Sequence, residues 1–263
     1  MPAPENRLKA ALRRGETQLG LWLNAASPVS AEIAGASGFD WCLIDAEHGP
    51  YAPETIASQL KALQLGGTEA VVRVPVGEDW VIKQVLDLGA RSLLVPMVDT
   101  ADEAERIVRA TRYAPSGHRG LGAGVARVSG WGRVADYATT ASDQIGVIVQ
   151  AETRAAIANL DAILAVEGID CVFIGPSDLS ADMGYLGNSG APEVQAVIAD
   201  AASRIRAAGK AAGIIHYNAA DFPKYLGLGF NFLGVGADVS LMRTAFDERL
   251  AAARLAAQAV AEG

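Results

Sequence analysis

The sequence predicts an α/β fold, a single (β/α)8 barrel over residues 1–263 with a long C-terminal helix. Three observations predict it. Eight short, largely apolar runs recur along the chain, stretches of helical spacing separate them, and no linker interrupts the alternation. The runs are Gln18–Leu23, Trp41–Asp45, Ala70–Val74, Ser92–Pro96, Ile145–Gln150, Cys171–Gly175, Ala211–Ile215 and Phe230–Val235. Most are continuously hydrophobic rather than alternating, as parallel strands covered on both faces should be.

The intervening helices have recognisable ends. Pro28–Gly35 and Pro53–Leu65 each open on proline, which suits a first helical turn. Asp79–Leu88 stops at Gly89, a C-cap residue. Asp102–Tyr113, Ala155–Ala165, Pro192–Ala208, Asp221–Leu228 and the alanine-rich Leu241–Val260 complete the set. The last has no evident partner and can pack on a neighbouring subunit as readily as on its own barrel. The glycine-rich connection Ala114–Asp143 is longer than a compact domain usually carries, which points to a functional or interface loop. No nucleotide-binding glycine fingerprint follows the first run, which favours a closed barrel over a doubly wound sheet.

Composition narrows the function. A formal charge of −8 argues against a nucleic-acid partner, which requires a basic face. Lysine and arginine are dispersed, so no polybasic run suits a membrane surface. Cys42 and Cys171 lie inside apolar runs and read as buried, reduced thiols. The polar start lacks the apolar core of a signal peptide, and the expected location is the cytoplasm.

In an α/β barrel the chemistry gathers at the C-terminal ends of the strands. After the second run come Asp45, Glu47 and His48, followed by Gly49-Pro50. Crowded carboxylates favour a protonated imidazole, so His48 reads as a general acid/base. The plainer alternative is a capped turn with a solvated histidine. Arg73 ends the third run, and its planar donor fork suits a carboxylate or keto oxygen, or one of the same acids. Gln150 and Glu152 follow the fifth run, and Ser177 and Asp178 follow the sixth. Two carboxylates from neighbouring strand ends leave a hard cation open positions for substrate and water. Asp178 alone reads equally as the N-cap of the helix after it. Trp22 either walls the pocket or belongs to the core. His118 reads as a surface residue. Lys83 and Lys210 end no predicted strand, which disfavours a Schiff-base lysine.

Taken in order, the segments IDAEHGP, VVRVP, QAET and FIGPSDLSADMGY make the chain resemble the class II, metal-dependent hydroxy-keto-acid aldolase family, which includes 4-hydroxy-2-oxoheptanedioate and 2-dehydro-3-deoxyglucarate aldolases. The resemblance extends over nearly the whole chain, from GLWLNAASP to GVGADVSLM. It implies a lyase that joins a 2-keto acid, pyruvate or hydroxypyruvate, to an aldehyde. It implies His48 as acid/base, Arg73 at the transition state, and Asp87 as the residue that raises histidine basicity. It also implies Glu152 and Asp178 as ligands of magnesium or manganese, with cobalt able to substitute. Gln150, Ser177 and Asp178 would contact substrate, with Asp45 and Glu47 orienting their neighbours, in a hexameric assembly. Whether His48 or a bound hydroxide takes the C3 proton stays open. His216 and Tyr217, after the seventh run, depart from the small or apolar residues expected there. Two alternatives remain: an acyl-CoA lyase of the citramalyl- or malyl-CoA type, and a non-catalytic keto-acid-binding protein.

Overall fold

The computed structural model describes residues 1–50 and 52–261. Eight parallel strands close into one barrel in sequence order: β1 Gln18–Leu23, β2 Trp41–Asp45, β3 Glu69–Arg73, β4 Ser92–Val95, β5 Gly146–Ala151, β6 Cys171–Ile174, β7 Ala211–Ile215 and β8 Phe232–Ala237. The barrel closes where β1 pairs with β8, Gln18 facing Phe232. The (β/α)8 expectation is therefore met.

Several boundaries move for physical reasons. β3 starts at Glu69 because Arg7 and Arg91 neutralise that buried carboxylate at 2.8 and 3.0 Å. β8 starts at Phe232 because the Asn231 side chain is spent accepting the Ala212 N–H at 3.0 Å. The helix predicted over Ala155–Ala165 is two short helices, Arg154–Ala158 and Leu160–Ala165, meeting at Asn159. Inside the predicted Ala114–Asp143 loop lie only short helical turns, Arg127–Ser129 and Tyr137–Thr140 among them.

The barrel interior is a packed core. Trp41 stacks on Phe232 with ring centroids 4.0 Å apart, and Trp22 lies 5.4 Å from Phe173. Glycines on β7 and β8 make room for these rings. A methyl group at Gly234 would sit 2.7 Å from Trp22, and one at Gly213 would sit 2.6 Å from Phe173. At the N-terminal end, the helix Arg7–Arg13 places Leu8 and Leu12 into the same cluster and plugs the barrel floor. A second apolar layer lies between the strands and the outer helices. Cys42 and Cys171 are free and buried, and burial pushes the Cys42 thiol up to about 12.

The last helix, Asp238–Ala261, behaves differently. Only Asp238 at its start is buried, where its carboxylate accepts from the Asn24 N–H and the Ser30 hydroxyl. Beyond it, Leu241, Phe246, Leu250 and Leu255 are exposed. Among the described residues no helix is long and apolar enough to cross a membrane.

Candidate active site

A cleft of about 540 Å³ opens at the C-terminal rim of the barrel. Trp22, Asp45, His48, Arg73, Gln150, Ser177 and Asp178 all line it. Seven of the ten residues singled out from the sequence thus converge, and each comes from the end of a strand or the turn after it.

The organising contact joins β2 to β3. These strands pair in register with Asp45 opposite Arg73. The guanidinium grips the carboxylate twice, Nε to Oδ1 at 2.9 Å and Nη2 to Oδ2 at 2.6 Å. Its third nitrogen, Nη1, lies 2.8 Å from Glu47 Oε2. Both readings of Arg73 therefore hold: it is paired with acids and it faces the cleft. Burial disfavours the Asp45 carboxylate, but Arg73 and the backbone N–H groups of Glu47 and His48 outweigh it and hold its pKa below the ordinary range. Trp22 forms the floor, its ring 5.9 Å from the Arg73 guanidinium carbon. It is 3% exposed, so it is core and cleft wall together.

His48 stands at the open edge. Its Nε2 lies 3.8 Å from Glu47 Oε2, and its side chain is 65% exposed, accessible to a ligand entering the cleft. Burial raises the pKa of Glu47 against the pull of Arg73.

β5 supplies the second group. Glu152 is buried, accepting from the Met97 N–H at 2.9 Å and from the Gln150 amide. Burial pushes its carboxyl up to about 7, and the negative charges of Asp178 and Glu47 add to the shift. Gln150 Oε1 is buried without a hydrogen-bond partner. Asp178 lies in the first turn of the helix Pro176–Asp182, whose N-cap position is Gly175. The N-capping alternative for Asp178 is thereby corrected: the helix begins three residues earlier than that reading assumed.

These features fit a divalent cation. Glu152 and Asp178 are hard oxygen donors within each other's field, and among the described residues Glu152 is a buried acid that forms no salt bridge, the Arg73 guanidinium acting on it only at longer range. Gly175 keeps the space open, since a methyl group there would collide with the Glu152 carboxylate and sit 2.9 Å from the Gln150 amide nitrogen. Among the described residues no three His, Cys, Asp or Glu side chains group closely enough to hold an ion by themselves.

Asp87 is not brought to this rim. The helix Asp79–Asp87 has nine residues and runs back toward the N-terminal rim, spanning about 13 Å. Asp87 is its last residue and accepts from Arg119 Nη2 at 2.6 Å. His118 is an exposed surface residue, as expected, with Nε2 2.9 Å from Asp79. Sequence reasoning missed Asn24, whose amide donates to Asp45 Oδ2 at 2.6 Å. It also missed Met97, which holds φ at 54° to aim its N–H at Glu152. The only signal for either was its place just past a strand.

A family model described as HpcH/HpaI aldolase/citrate lyase matches residues 18–245. The chain belongs to that family. It is accordingly a carbon–carbon lyase. A hydroxypyruvate/pyruvate aldolase of Agrobacterium fabrum is 60% identical over 240 residues, covering 91% of this chain and 90% of the relative. A 2-keto-3-deoxy-L-rhamnonate aldolase of Klebsiella pneumoniae is 53% identical, covering 94% and 92%. Among solved structures, a family member from Burkholderia cenocepacia superposes with a TM-score of 0.91 at 39% identity, covering 95% of this chain and 99% of that one.

Proposed function

We propose that this chain is a divalent-cation-dependent aldolase that reversibly joins a 2-keto acid, pyruvate or hydroxypyruvate, to an aldehyde. The observation that carries the reading is the meeting, at one rim, of two carboxylates suited to a cation, a guanidinium and an accessible histidine. The relative named hydroxypyruvate/pyruvate aldolase, at 60% identity, supports the donor class.

A cation held by Glu152 and Asp178, magnesium or manganese, would act as a Lewis acid that draws electron density from the keto oxygen. The residues of the chain do the rest. The backbone N–H groups of Ser177 and Asp178, in a first helical turn, receive the keto-acid carboxylate. Gln150 contacts the donor beside them. Arg73, already fixed by Asp45 and Glu47, offers its remaining donor capacity to the oxygen that gains negative charge when the C3 proton leaves. Trp22 beneath it keeps that side of the donor dry. His48 exchanges the proton, taking it from C3 or relaying it, and returning one to the alkoxide formed from the aldehyde. The same steps reversed give cleavage.

The working unit is a homo-oligomer, a hexamer by the resemblance. The exposed apolar residues on Asp238–Ala261 need cover, and a second copy is the simplest cover. An influence of Asp87 on His48 also requires a neighbouring copy, because Asp87 ends its helix toward the opposite rim. The reduced, buried thiols suit a cytoplasmic location.

The test uses two readouts. Exchange of the C3 protons of pyruvate in D2O reports the donor half, and aldol addition to an aldehyde reports the whole reaction. Both should vanish on metal removal and return with magnesium or manganese. Undiminished turnover in chelator, or a borohydride-trapped adduct between pyruvate and a lysine, would replace this scheme.

A further inference from the structure

The donor chemistry draws on β1, β2, β3, β5, β6 and the turns after them, yet the cleft has another polar wall. After β7, His216, Tyr217 and Asn218 line it, with Ile215 alongside. Nothing in the scheme above uses them.

His216 is held from three directions. Its backbone N–H donates to the Gly234 carbonyl at 2.9 Å, which extends the barrel ladder by one residue. Its Nε2 meets Asp221 Oδ2 at 2.8 Å. Its ring packs on Tyr225 with centroids 4.8 Å apart. Asp221 is braced in turn by the Asn218 amide at 2.9 Å, and Asn218 accepts the Ala220 N–H at 3.2 Å. Asp221 is ionised at neutral pH and a carboxylate only accepts, so the Nε2 of His216 donates to it. Nδ1 is then the ring's spare polar atom, without a hydrogen-bond partner among the described residues. A histidine braced this firmly at a cleft wall has the fixed orientation that recognition needs.

The local charge says what it recognises. Asp221 stands directly behind the imidazole. Lys224, the nearby cation, is turned to Gln195 at 2.5 Å and to the Tyr225 ring, and it does not line the cleft. A carboxylate-bearing aldehyde held by His216 would lie one imidazole away from the Asp221 carboxylate, whose charge Lys224 only partly offsets. A neutral hydroxyl group would find a hydrogen-bond partner.

We infer that His216, oriented by Asp221 and Tyr225, recognises the acceptor: it hydrogen-bonds a hydroxyl group next to the aldehyde carbonyl and biases the enzyme toward neutral hydroxyaldehydes over carboxylated ones. The inference rests on the aldolase reading. Asp221 is a positioning residue, acting through His216.

The experiment compares glycolaldehyde, propanal and succinic semialdehyde as acceptors for pyruvate, with metal-loaded enzyme. Glycolaldehyde and propanal differ by a hydroxyl in place of a methyl, so their ratio of kcat/KM isolates the hydrogen bond. His216→Phe should lower that ratio roughly tenfold, the worth of one hydrogen bond in a half-open site, chiefly through the KM for glycolaldehyde. Asp221→Asn, the milder change, should lower it less while raising relative use of succinic semialdehyde. Pyruvate proton exchange, which needs no aldehyde, is followed in parallel. Exchange in the wild type with ratios unchanged in both variants overturns the role of His216 and leaves the aldolase reading intact. Absence of exchange and of addition in the metal-loaded wild type defeats the aldolase reading, and this inference with it. Should His216→Phe fail to fold, Asp221→Asn decides alone: a shifted acceptor panel supports the role, and an unshifted one refutes it.

Discussion

The two rims of the barrel carry buried charge in opposite ways. At the N-terminal rim the charges are matched. Glu69 has Arg7 and Arg91, while Asp170 has Lys9 at 2.8 Å and Arg13 at 3.5 Å. Asn6 closes the gap between them through Arg91 O and Ser92 Oγ, both at 2.9 Å. At the C-terminal rim, Asp45, Glu47 and Glu152 lie in the field of the Arg73 guanidinium, and Asp178 adds its negative charge to those of Glu47 and Glu152. Neutralised charge holds a fold, whereas an unneutralised surplus of carboxylate needs a cation and a substrate to complete it. If that contrast is right, substitutions at the upper rim should damage catalysis and those at the lower rim should damage stability.

The largest effect belongs to His48. His48→Ala should lower turnover by about 10²–10⁴-fold while calorimetric titration finds metal affinity unchanged. A loss of metal binding in that variant would break the division of labour between histidine and carboxylates. Arg73→Lys keeps the charge but cannot reproduce the double grip on Asp45 together with the contact to Glu47. It should cost about 10²–10³-fold in kcat, with a smaller change in KM for pyruvate.

Lys9→Met probes the lower rim. It removes the close ammonium partner of a buried Asp170 and leaves Arg13 at 3.5 Å, the Val147 N–H and the more distant Lys210, and should cost about 3 kcal/mol of stability in denaturant unfolding. The kcat of the remaining folded enzyme should match that of the wild type. A catalytic defect of His48 size would erase the distinction between the rims.

The smallest effect is a pH dependence. Asp45 has its folded pKa below the ordinary value of 3.8, so its pairing stabilises the protein above that pH and is lost as pH falls through the depressed value. The gap in Tm between wild type and Asp45→Asn should therefore be widest near neutrality and shrink below about pH 4. A gap that stays constant down to pH 2 would mean that Asp45 acts by shape rather than charge.

The strands were legible because each buried parallel strand is an apolar run that ends where polar chemistry begins. That rule alone brought out Asp45, His48, Arg73, Glu152 and Asp178. What it could not bring out are roles played by backbone or by distance. Met97 works through an amide N–H in a left-handed conformation that no methionine side chain advertises. Asn24 reaches Asp45 from the loop after β1, a contact set by barrel closure. Asp87 is the converse case. Resemblance implied its importance, but its helix directs it toward the far rim, where it meets Arg119. Strand boundaries slipped at Glu69 and Asn231 because paired or capping polar residues read as breaks when their partners are far away in sequence.

Gly175 has a consequence for anyone redesigning this enzyme. The gap it leaves beside Glu152 is smaller than one methyl group, so a mutant library can sample the loop after β7 freely yet must hold that codon fixed. Alanine there would force the Glu152 side chain to move, and with it the carboxylate that the proposed scheme assigns to the cation.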